Sequence, residues 1–135
     1  MMNVDQGPAE TVDLTVPARA EFVRLVRLVM AGIGNSLDFN VEEIDDLKMA
    51  VSEAFNMFYP SEEHPLLIRT SISPGELVVR VSQSYLNGVP RFVGMDNSTE
   101  KGIGIVLMKH LVDKVEYSTD ASEMQIRLVK VRTPR

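Results

Sequence analysis

The sequence predicts a two-layer α/β sandwich of the α+β class, in which about three helices cover one face of a mixed β-sheet. Some stretches have the two-residue period of strands, and others have the period of amphipathic helices. Their order is strand, two helices, two strands, loop, helix and two strands, which favours a sheet with its helices on one side. With 135 residues, the chain has room for one such domain.

The first strand and the first helix are predicted on the two sides of Pro17. Residues 11–16 place Val12, Leu14 and Val16 on one face, as in a half-buried strand. Pro17 ends this strand because it has no N–H for the sheet, and it suits the first turn of a helix. That helix, to about Gly34, carries apolar residues at helical spacing: Phe22, Leu25, Val26, Val29 and Ile33.

A capping box predicts the start of the second helix. Glu43 follows Asn40 by three residues, so that each side chain can bind the backbone N–H of the other. An apolar stripe continues from there to Phe58. Pro60 then ends the helix.

The rest of the chain predicts a hairpin, a long loop, a helix and two strands. Strands over 66–73 and 76–82 flank Pro74-Gly75, which is a turn signal. Residues 84–99 are rich in turn formers, and loops of this length are often functional lids. The remaining elements are a helix over 103–112 and strands over 114–118 and 124–131.

Composition excludes several classes of function. The 14 Lys and Arg against 19 Asp and Glu leave a net charge of -5, which disfavours direct nucleic-acid binding. The absence of cysteine excludes thiolate catalysis, iron–sulfur clusters and cysteine-bound zinc. His64 and His110 do not have the spacing of metal ligands.

The sequence predicts neither a signal peptide nor a membrane span. Residues 1–10 lack the basic and apolar regions of a signal peptide, and no apolar run is long enough for a membrane span. We therefore expect a cytoplasmic protein that does not bind membranes. Residues 1–10 are expected to be flexible, 11–131 to form the domain and 132–135 to form a tail.

Glu53 is the candidate catalytic residue. Its neighbours on the predicted helix include Met49, Ala50 and Met57, so its carboxylate projects among apolar groups. Such a carboxylate can act as a general base. The alternative is a boundary glutamate whose head group reaches water.

Two glycines form the second candidate feature. Gly102 and Gly104 open the predicted third helix, and Lys101 adds a cation beside them. Glycines let a phosphate approach the backbone, and the start of a helix attracts anions. Tight packing is the alternative explanation of glycines at this place.

Two stretches, taken together, resemble one family. Residues 46–54 read Asp-Leu-Lys-Met-Ala-Val-Ser-Glu-Ala, and residues 101–117 read Lys-Gly-Ile-Gly-Ile-Val-Leu-Met-Lys-His-Leu-Val-Asp-Lys-Val-Glu-Tyr. They resemble the conserved helix and the second glycine box of the anti-sigma-factor serine kinases, in the Bergerat-fold (GHKL, histidine-kinase-like) ATPase superfamily. The resemblance implies a domain that binds ATP or ADP with Mg²⁺, binds a sigma factor, phosphorylates an anti-anti-sigma antagonist and usually forms a homodimer.

The resemblance also implies roles for individual residues. Glu53 matches the catalytic glutamate, and Gly102 and Gly104 match the last two glycines of the box, beside Lys101. The first glycine of that box corresponds here to Glu100.

Two other positions depart from the family. Met57 stands where the family has its magnesium-binding asparagine, which leaves Asn56, one residue earlier, as the candidate nucleotide and metal ligand. The family's adenine-reading aspartate and its glycines are replaced after residue 81 by Ser82 and Gln83, the candidates for hydrogen bonding to a purine.

These residues leave three functions open. The first is an anti-sigma-factor-like regulator that binds proteins in a partner-switching pathway, with weakened or lost nucleotide binding. The second is an active ATP-dependent protein-serine kinase for the antagonist. The third is a small-molecule sensor whose ligand lies under the loop 84–99. In each case Arg24 and Arg27 form a basic face that favours an acidic partner surface.

Overall fold

The fold is built on a five-stranded sheet with the strand order β1-β2-β3-β5-β4. The computed structural model describes residues 10–85, 100–120 and 122–134, without the side chains of Glu100 and Lys101. Every strand pair among these residues is antiparallel. The prediction of a mixed sheet, with both parallel and antiparallel pairs, was therefore wrong. The strands are β1 (Glu10–Ala18), β2 (Ser61–Ser73), β3 (Glu76–Ser84), β4 (Lys114–Thr119) and β5 (Glu123–Val131).

Three helices cover one face of this sheet, which confirms the two-layer α+β architecture. They are α1 (Val23–Ser36), α2 (Val41–Phe55) and α3 (Glu100–Leu111), and a 3-10 turn over Ala20–Phe22 precedes α1. Buried apolar residues of α1, α2 and α3 pack on alternate residues of the strands. None of the described helices is long and apolar enough to cross a membrane.

Pro17 does not end the first strand. β1 continues to Ala18, and its register against β2 shifts between Val16 and Ala18, at the proline. β1 lies at the edge of the sheet, where a residue without an N–H is tolerated, and an irregularity absorbs it. The predicted single helix after Pro17 is therefore a 3-10 turn followed by α1.

The capping box of α2 is confirmed. The Asn40 side chain accepts from the Glu43 N–H at 2.7 Å, and Glu43 Oε1 accepts from the Asn40 N–H at 2.8 Å. The other carboxylate oxygen, Oε2, accepts from the backbone N–H and the hydroxyl of Thr133 at 2.6 and 2.8 Å. Arg132 donates its N–H to Gly75 O at 2.8 Å. The predicted tail is thus held to the domain through its first two residues.

The hairpin at Pro74-Gly75 is confirmed and orients β3. Gly75 has a φ of 72°, a conformation that glycine adopts without strain. Along β3, Val79 and Val81 belong to the core beneath the helices. Since successive side chains of a strand point to opposite faces, Arg80 and Ser82 face the other side of the sheet, here called the open face.

The third helix begins earlier than predicted. It starts at Glu100 instead of residue 103, so Gly102 and Gly104 are helical residues. Residues 1–9, most of the predicted flexible start, lie outside the described residues, as do residues 86–99 of the predicted loop. The small-molecule site predicted under that loop therefore also falls outside the described residues.

Candidate functional site

Glu53 and Gly104 meet where α2 and α3 pack together. A Cβ atom added to Gly104 would lie 2.7 Å from Glu53 Oε1 and 3.5 Å from Glu53 Cδ. Glu53 is half-buried, and Gly104 is buried. The structure therefore brings together the predicted base and one predicted glycine of the phosphate-binding box, although they are distant in the sequence.

The contact gives Gly104 a steric role. Gly104 is the fifth residue of α3, beyond the first four whose N–H groups have no acceptor within the helix. Its lack of a side chain makes room for the Glu53 carboxylate. Gly102, two residues nearer the start of α3, is also buried.

Met57, at the family's magnesium-binding position, and Asn56, the candidate ligand beside it, lie in different surroundings. Met57 is 1% exposed and belongs to the hydrophobic core, where a thioether cannot supply the oxygen ligands that Mg²⁺ prefers. Asn56 caps the end of α2 and lines a cavity of about 230 Å³. The other residues around that cavity are Ala18, Ala20, Phe55, Phe58, Pro60 and Leu66.

The described residues contain no group of three or more His, Cys, Asp and Glu side chains placed to hold a metal ion. The other residues that line the cavity of Asn56 are apolar, so none of them adds an oxygen-bearing side chain to it. The residues present do not fit the magnesium site that the family resemblance implies. Ligation by Asn56 remains a prediction.

Gln83 is buried beneath the helices and holds the end of β3 to the first part of β2 and to the residue before Pro60. It is 1% exposed, and its Nε2 donates to the carbonyl oxygens of His64 at 2.8 Å and Tyr59 at 3.3 Å. Its Oε1 accepts a hydrogen bond from the Tyr85 hydroxyl. Both ends of the carboxamide are thus used within the protein, and binding a purine would require these bonds to be exchanged.

Tyr85 completes this network. Burial raises the pKa of Tyr85, because desolvation disfavours the phenolate, and the hydroxyl stays protonated as a donor to Gln83. The Tyr85 ring packs against the His64 ring with a centroid distance of 4.8 Å. Sequence reasoning missed this His64–Gln83–Tyr85 network, because His64 and Gln83 come together only through the pairing of β2 with β3.

Ser82 lies on the open face, on the other side of the sheet from the helices. It lines a cavity of about 460 Å³ with Leu67, Ser84 and Tyr85 among others. The sheet therefore separates Ser82 from the contact between Glu53 and Gly104, and the structure does not bring these three residues together. A purine bound at Ser82 would lie away from Glu53.

The basic face of α1 is the second candidate surface. Arg24 and Arg27 line a groove of about 860 Å³, together with Leu28 and with Lys48 of α2. Leu28 is 64% exposed, so the groove offers an apolar contact beside its cations. Sequence reasoning identified the arginines, but it missed Lys48, because the packing of α1 on α2 brings it to them.

Comparison with known proteins identifies relatives of this domain. A family model described as the histidine kinase-like ATPase domain matches residues 16–130. The serine-protein kinase RsbW of Halalkalibacterium halodurans is 31% identical over 127 residues, which cover 83% of this chain and 78% of that protein. The serine-protein kinase RsbW of Bacillus thuringiensis (strain Al Hakam) is 28% identical over 126 residues, with 82% and 79% covered.

A solved structure shows the same fold. The crystal structure of the RsbU and RsbW domains of Rv1364c from Mycobacterium tuberculosis superposes with a TM-score of 0.67 at 16% sequence identity. The match covers 94% of this chain and 34% of that chain. This chain therefore corresponds to about a third of that longer protein.

Proposed function

Because the chain belongs to the histidine kinase-like ATPase family, and within it to the anti-sigma-factor serine kinases, we propose that it acts as an anti-sigma-factor-like regulator in a partner-switching pathway. Its partners are a sigma factor and an anti-anti-sigma antagonist, which place it in the cytoplasm. It works by protein–protein binding, and its affinity for ATP and ADP is weakened or lost.

The internal hydrogen bonds of Gln83 carry the proposal of weakened nucleotide binding. Gln83 and Ser82 stand where the family resemblance puts the adenine-reading aspartate. The Gln83 carboxamide is already bonded to Tyr59, His64 and Tyr85. A purine would therefore have to break buried hydrogen bonds, each of which costs about 1–3 kcal/mol when left unmade. Buried Met57, in place of a metal ligand, supports the same conclusion.

The groove on α1 supports the binding of an acidic partner. Arg24, Arg27 and Lys48 line the groove together with the exposed Leu28 and with Glu21, and Lys48 also pairs with Asp45 at 3.6 Å. In an interface of this kind, an excess of positive charge speeds association with an acidic surface, and the apolar contact adds affinity. The arrangement suits a protein surface with acidic residues around an apolar one.

The edge of the sheet supports a homodimer. Among the described strands, β1 lies at one end of the sheet and pairs with β2 alone. Val12 of β1 and Leu25 of α1 are exposed apolar residues. An unpaired strand edge beside apolar groups is a template for pairing with a second chain. Light scattering after gel filtration should give twice the mass of the chain, 15.1 kDa, and a single-chain mass would exclude the dimer.

Calorimetric titration with ATP and ADP, with and without Mg²⁺, tests the proposal directly. We expect weak or undetectable heat that does not depend on the metal. Tight binding with a clear dependence on Mg²⁺ would contradict the weakened site. Partner capture with the full chain then tests the protein-binding part. The double variant Arg24→Glu/Arg27→Glu should lose the partner, and exposed Lys109→Glu on α3 is the matched control.

One observation favours an active kinase as the second candidate function. Glu53, which matches the catalytic base, lies against Gly104 of the glycine box, so that two parts of a phosphoryl-transfer site share one place. A serine kinase assay with the captured antagonist distinguishes the candidates. Phosphorylation of the antagonist that Glu53→Gln abolishes, with partner binding unchanged, would establish the kinase in place of the binding regulator.

A further inference from the structure

One straight row of charged side chains crosses the open face of the sheet. The strand register pairs Asp13 with Arg69, Arg69 with Arg80, Arg80 with Arg127, and Arg127 with Glu116. Each strand thus contributes one residue, and the order across the sheet is acid, three arginines, acid. We call these five residues the arginine row.

The outer arginines of the row are already paired. Arg69 binds Asp13 through two hydrogen bonds of 2.8 Å, from Nε and Nη2 to the two carboxylate oxygens. Arg127 binds Glu116 through a hydrogen bond of 2.7 Å. Arg69 also holds the pKa of Asp13 below its ordinary value, and Arg127 does the same for Glu116. Both end carboxylates are therefore charged at neutral pH.

The central arginine is different. Arg80 is half-buried, and the contact of its guanidinium is a long one, 3.4 Å from Nη1 to the Ser71 hydroxyl. No carboxylate of the described residues forms an ion pair with it. Like charges directly opposite each other on adjacent strands destabilise a sheet. Arg80 has an arginine on both sides, so an anion above it would relieve repulsion from two directions.

We propose that the arginine row is a docking site for an acidic segment of a protein partner, with a carboxylate of that partner placed over Arg80. Adjacent strands lie about 4.8 Å apart, so the three guanidiniums span about 10 Å, which suits one or two carboxylates. The planar guanidinium of Arg80 offers two parallel donors to a carboxylate. This site lies on the face opposite α1, and it does not depend on the proposed function.

The rows on each side of the arginine row suit a polypeptide. One consists of Thr15, Leu67, Ser82, Gln125 and Ser118, and the other of Thr11, Ser71, Val78, Val129 and Lys114. The exposed or half-buried members offer hydroxyl, amide and apolar groups, with a single charge at one end, while Ser82, Val78 and Val129 are buried between their neighbours. No described element of the chain covers this face. An acidic side chain can therefore reach Arg80 while its neighbours contact uncharged groups.

A nucleic acid fits the row less well. The carboxylates of Asp13 and Glu116 stop the basic region at both ends, and the whole chain carries a net charge of -5. A polyanion extends beyond 10 Å and would meet these acids or an acidic protein surface. A short acidic segment meets only the central cations.

A second copy of the chain also fits less well. In a face-to-face dimer with its two-fold axis along β3, Arg80 would oppose Arg80, Arg69 would oppose Arg127, and Asp13 would oppose Glu116. With the axis along the row, each residue would oppose its own copy. Both arrangements bring like charges together.

Nuclear magnetic resonance of the arginine side chains in the full chain tests the proposal. The probe is a short peptide of glutamate and aspartate, compared with a glutamine peptide of the same length and with a DNA duplex. We expect the acidic peptide to shift the Nε–H signal of Arg80 and the glutamine peptide to leave it unchanged. Arg80→Gln should weaken peptide binding about fivefold, the upper end of the range for an ion pair at a protein surface. Lys109→Gln, a substitution on exposed α3, is the matched control and should not weaken it.

Arg80→Lys tests whether Arg80→Gln acts through the lost charge or through unfolding, because lysine keeps the positive charge but lacks the planar guanidinium. We expect peptide binding between that of the original chain and Arg80→Gln, with an unchanged unfolding temperature. Three results would overturn the proposal: no shift of the Arg80 signal, an equal or stronger response to DNA, or a change of oligomeric state in Arg80→Glu by analytical ultracentrifugation.

Discussion

The candidate nucleotide site has two ends, one where α2 packs on α3 and one at the end of β3, and they differ in the hydrogen bonding of their polar side chains. At the α2–α3 end, Glu53 lies against Gly104, and a missing side chain makes room for the carboxylate. At the β3 end, the buried carboxamide of Gln83 is bonded to backbone carbonyls and to Tyr85. At the first end a missing side chain makes room for a carboxylate, whereas at the second end the polar group is hydrogen-bonded within the protein. The two ends therefore differ in whether the polar group already has its partners inside the fold.

The largest effect is expected from Gln83→Leu at the β3 end. The leucine removes the donors to the His64 and Tyr59 carbonyls and leaves both without that partner. We expect the free energy of unfolding to fall by roughly 2–4 kcal/mol. Chemical denaturation measures it, with the exposed neighbour substitution Ser84→Ala as control. An unchanged midpoint would mean that the network does not stabilise the fold and would remove the difference between the two ends.

Gly104→Ala probes the α2–α3 end. The new Cβ would lie 2.7 Å from Glu53 Oε1, so the carboxylate must move. In a double-mutant cycle with Glu53→Ala, we expect a coupling of about 1 kcal/mol, because the alanine at 104 is harmful only while Glu53 is present. Gly32→Ala in α1 is the matched control. Its Cβ meets nothing within 4 Å, and helix propensity should stabilise it by about 0.5–1 kcal/mol. Additive effects of the two substitutions would show that Gly104 does not position Glu53.

Tyr85→Phe should give a smaller loss at the β3 end. The substitution keeps the ring that packs on His64 and removes the hydroxyl that donates to Gln83. We expect the free energy of unfolding to fall by about 1 kcal/mol, because one acceptor loses its donor. The measurement is a denaturation curve beside that of Gln83→Leu. In the double variant the two losses should not add, since both belong to one network; full additivity would contradict the network.

The smallest effect is expected from acid, on the ion pairs of the open face. Arg69 lowers the pKa of Asp13 from 3.8, and Arg127 lowers that of Glu116 from 4.5. A carboxylate with a lowered pKa in the folded state adds stability above its ordinary pKa, and this stability is lost as pH falls through the lowered pKa. We therefore expect the loss to begin below about pH 4.5.

The matched variant for this acid effect is Asp13→Asn. Its unfolding temperature should fall less steeply than that of the original chain as the pH is lowered. The measurement is the unfolding temperature of both proteins across the acid range, at one ionic strength. Parallel pH curves would show that the pair between Asp13 and Arg69 adds no stability in the folded protein.

Local patterns were predicted correctly because their physical causes are local. The Asn40–Glu43 spacing marks the start of α2, since a capping box needs only one turn of backbone. Pro74-Gly75 marks the hairpin because glycine accepts the positive φ of the turn. The family resemblance rested on two such local stretches, and the match over residues 16–130 confirms it.

Other features depended on contacts between distant segments. Pro17 was expected to end β1, yet pairing with β2 continues past it through a shift of register. Ser82 and Gln83 are adjacent in the sequence, but the sheet puts them on opposite faces, and no local pattern indicates which of them meets the helices. The arginine row was likewise invisible, because its five members come from five strands.

The sequence by itself determined the order of the main elements, the two-layer fold class and the family, because periodicity, caps, turns and motifs act within a few residues of each other. The tertiary structure decided which candidates share a place. It set Gly104 against Glu53, enclosed Gln83 in hydrogen bonds and aligned three arginines across the open face. The physical reason is that sheet register and helix packing determine these positions, and both are settled only when the whole core is buried at once.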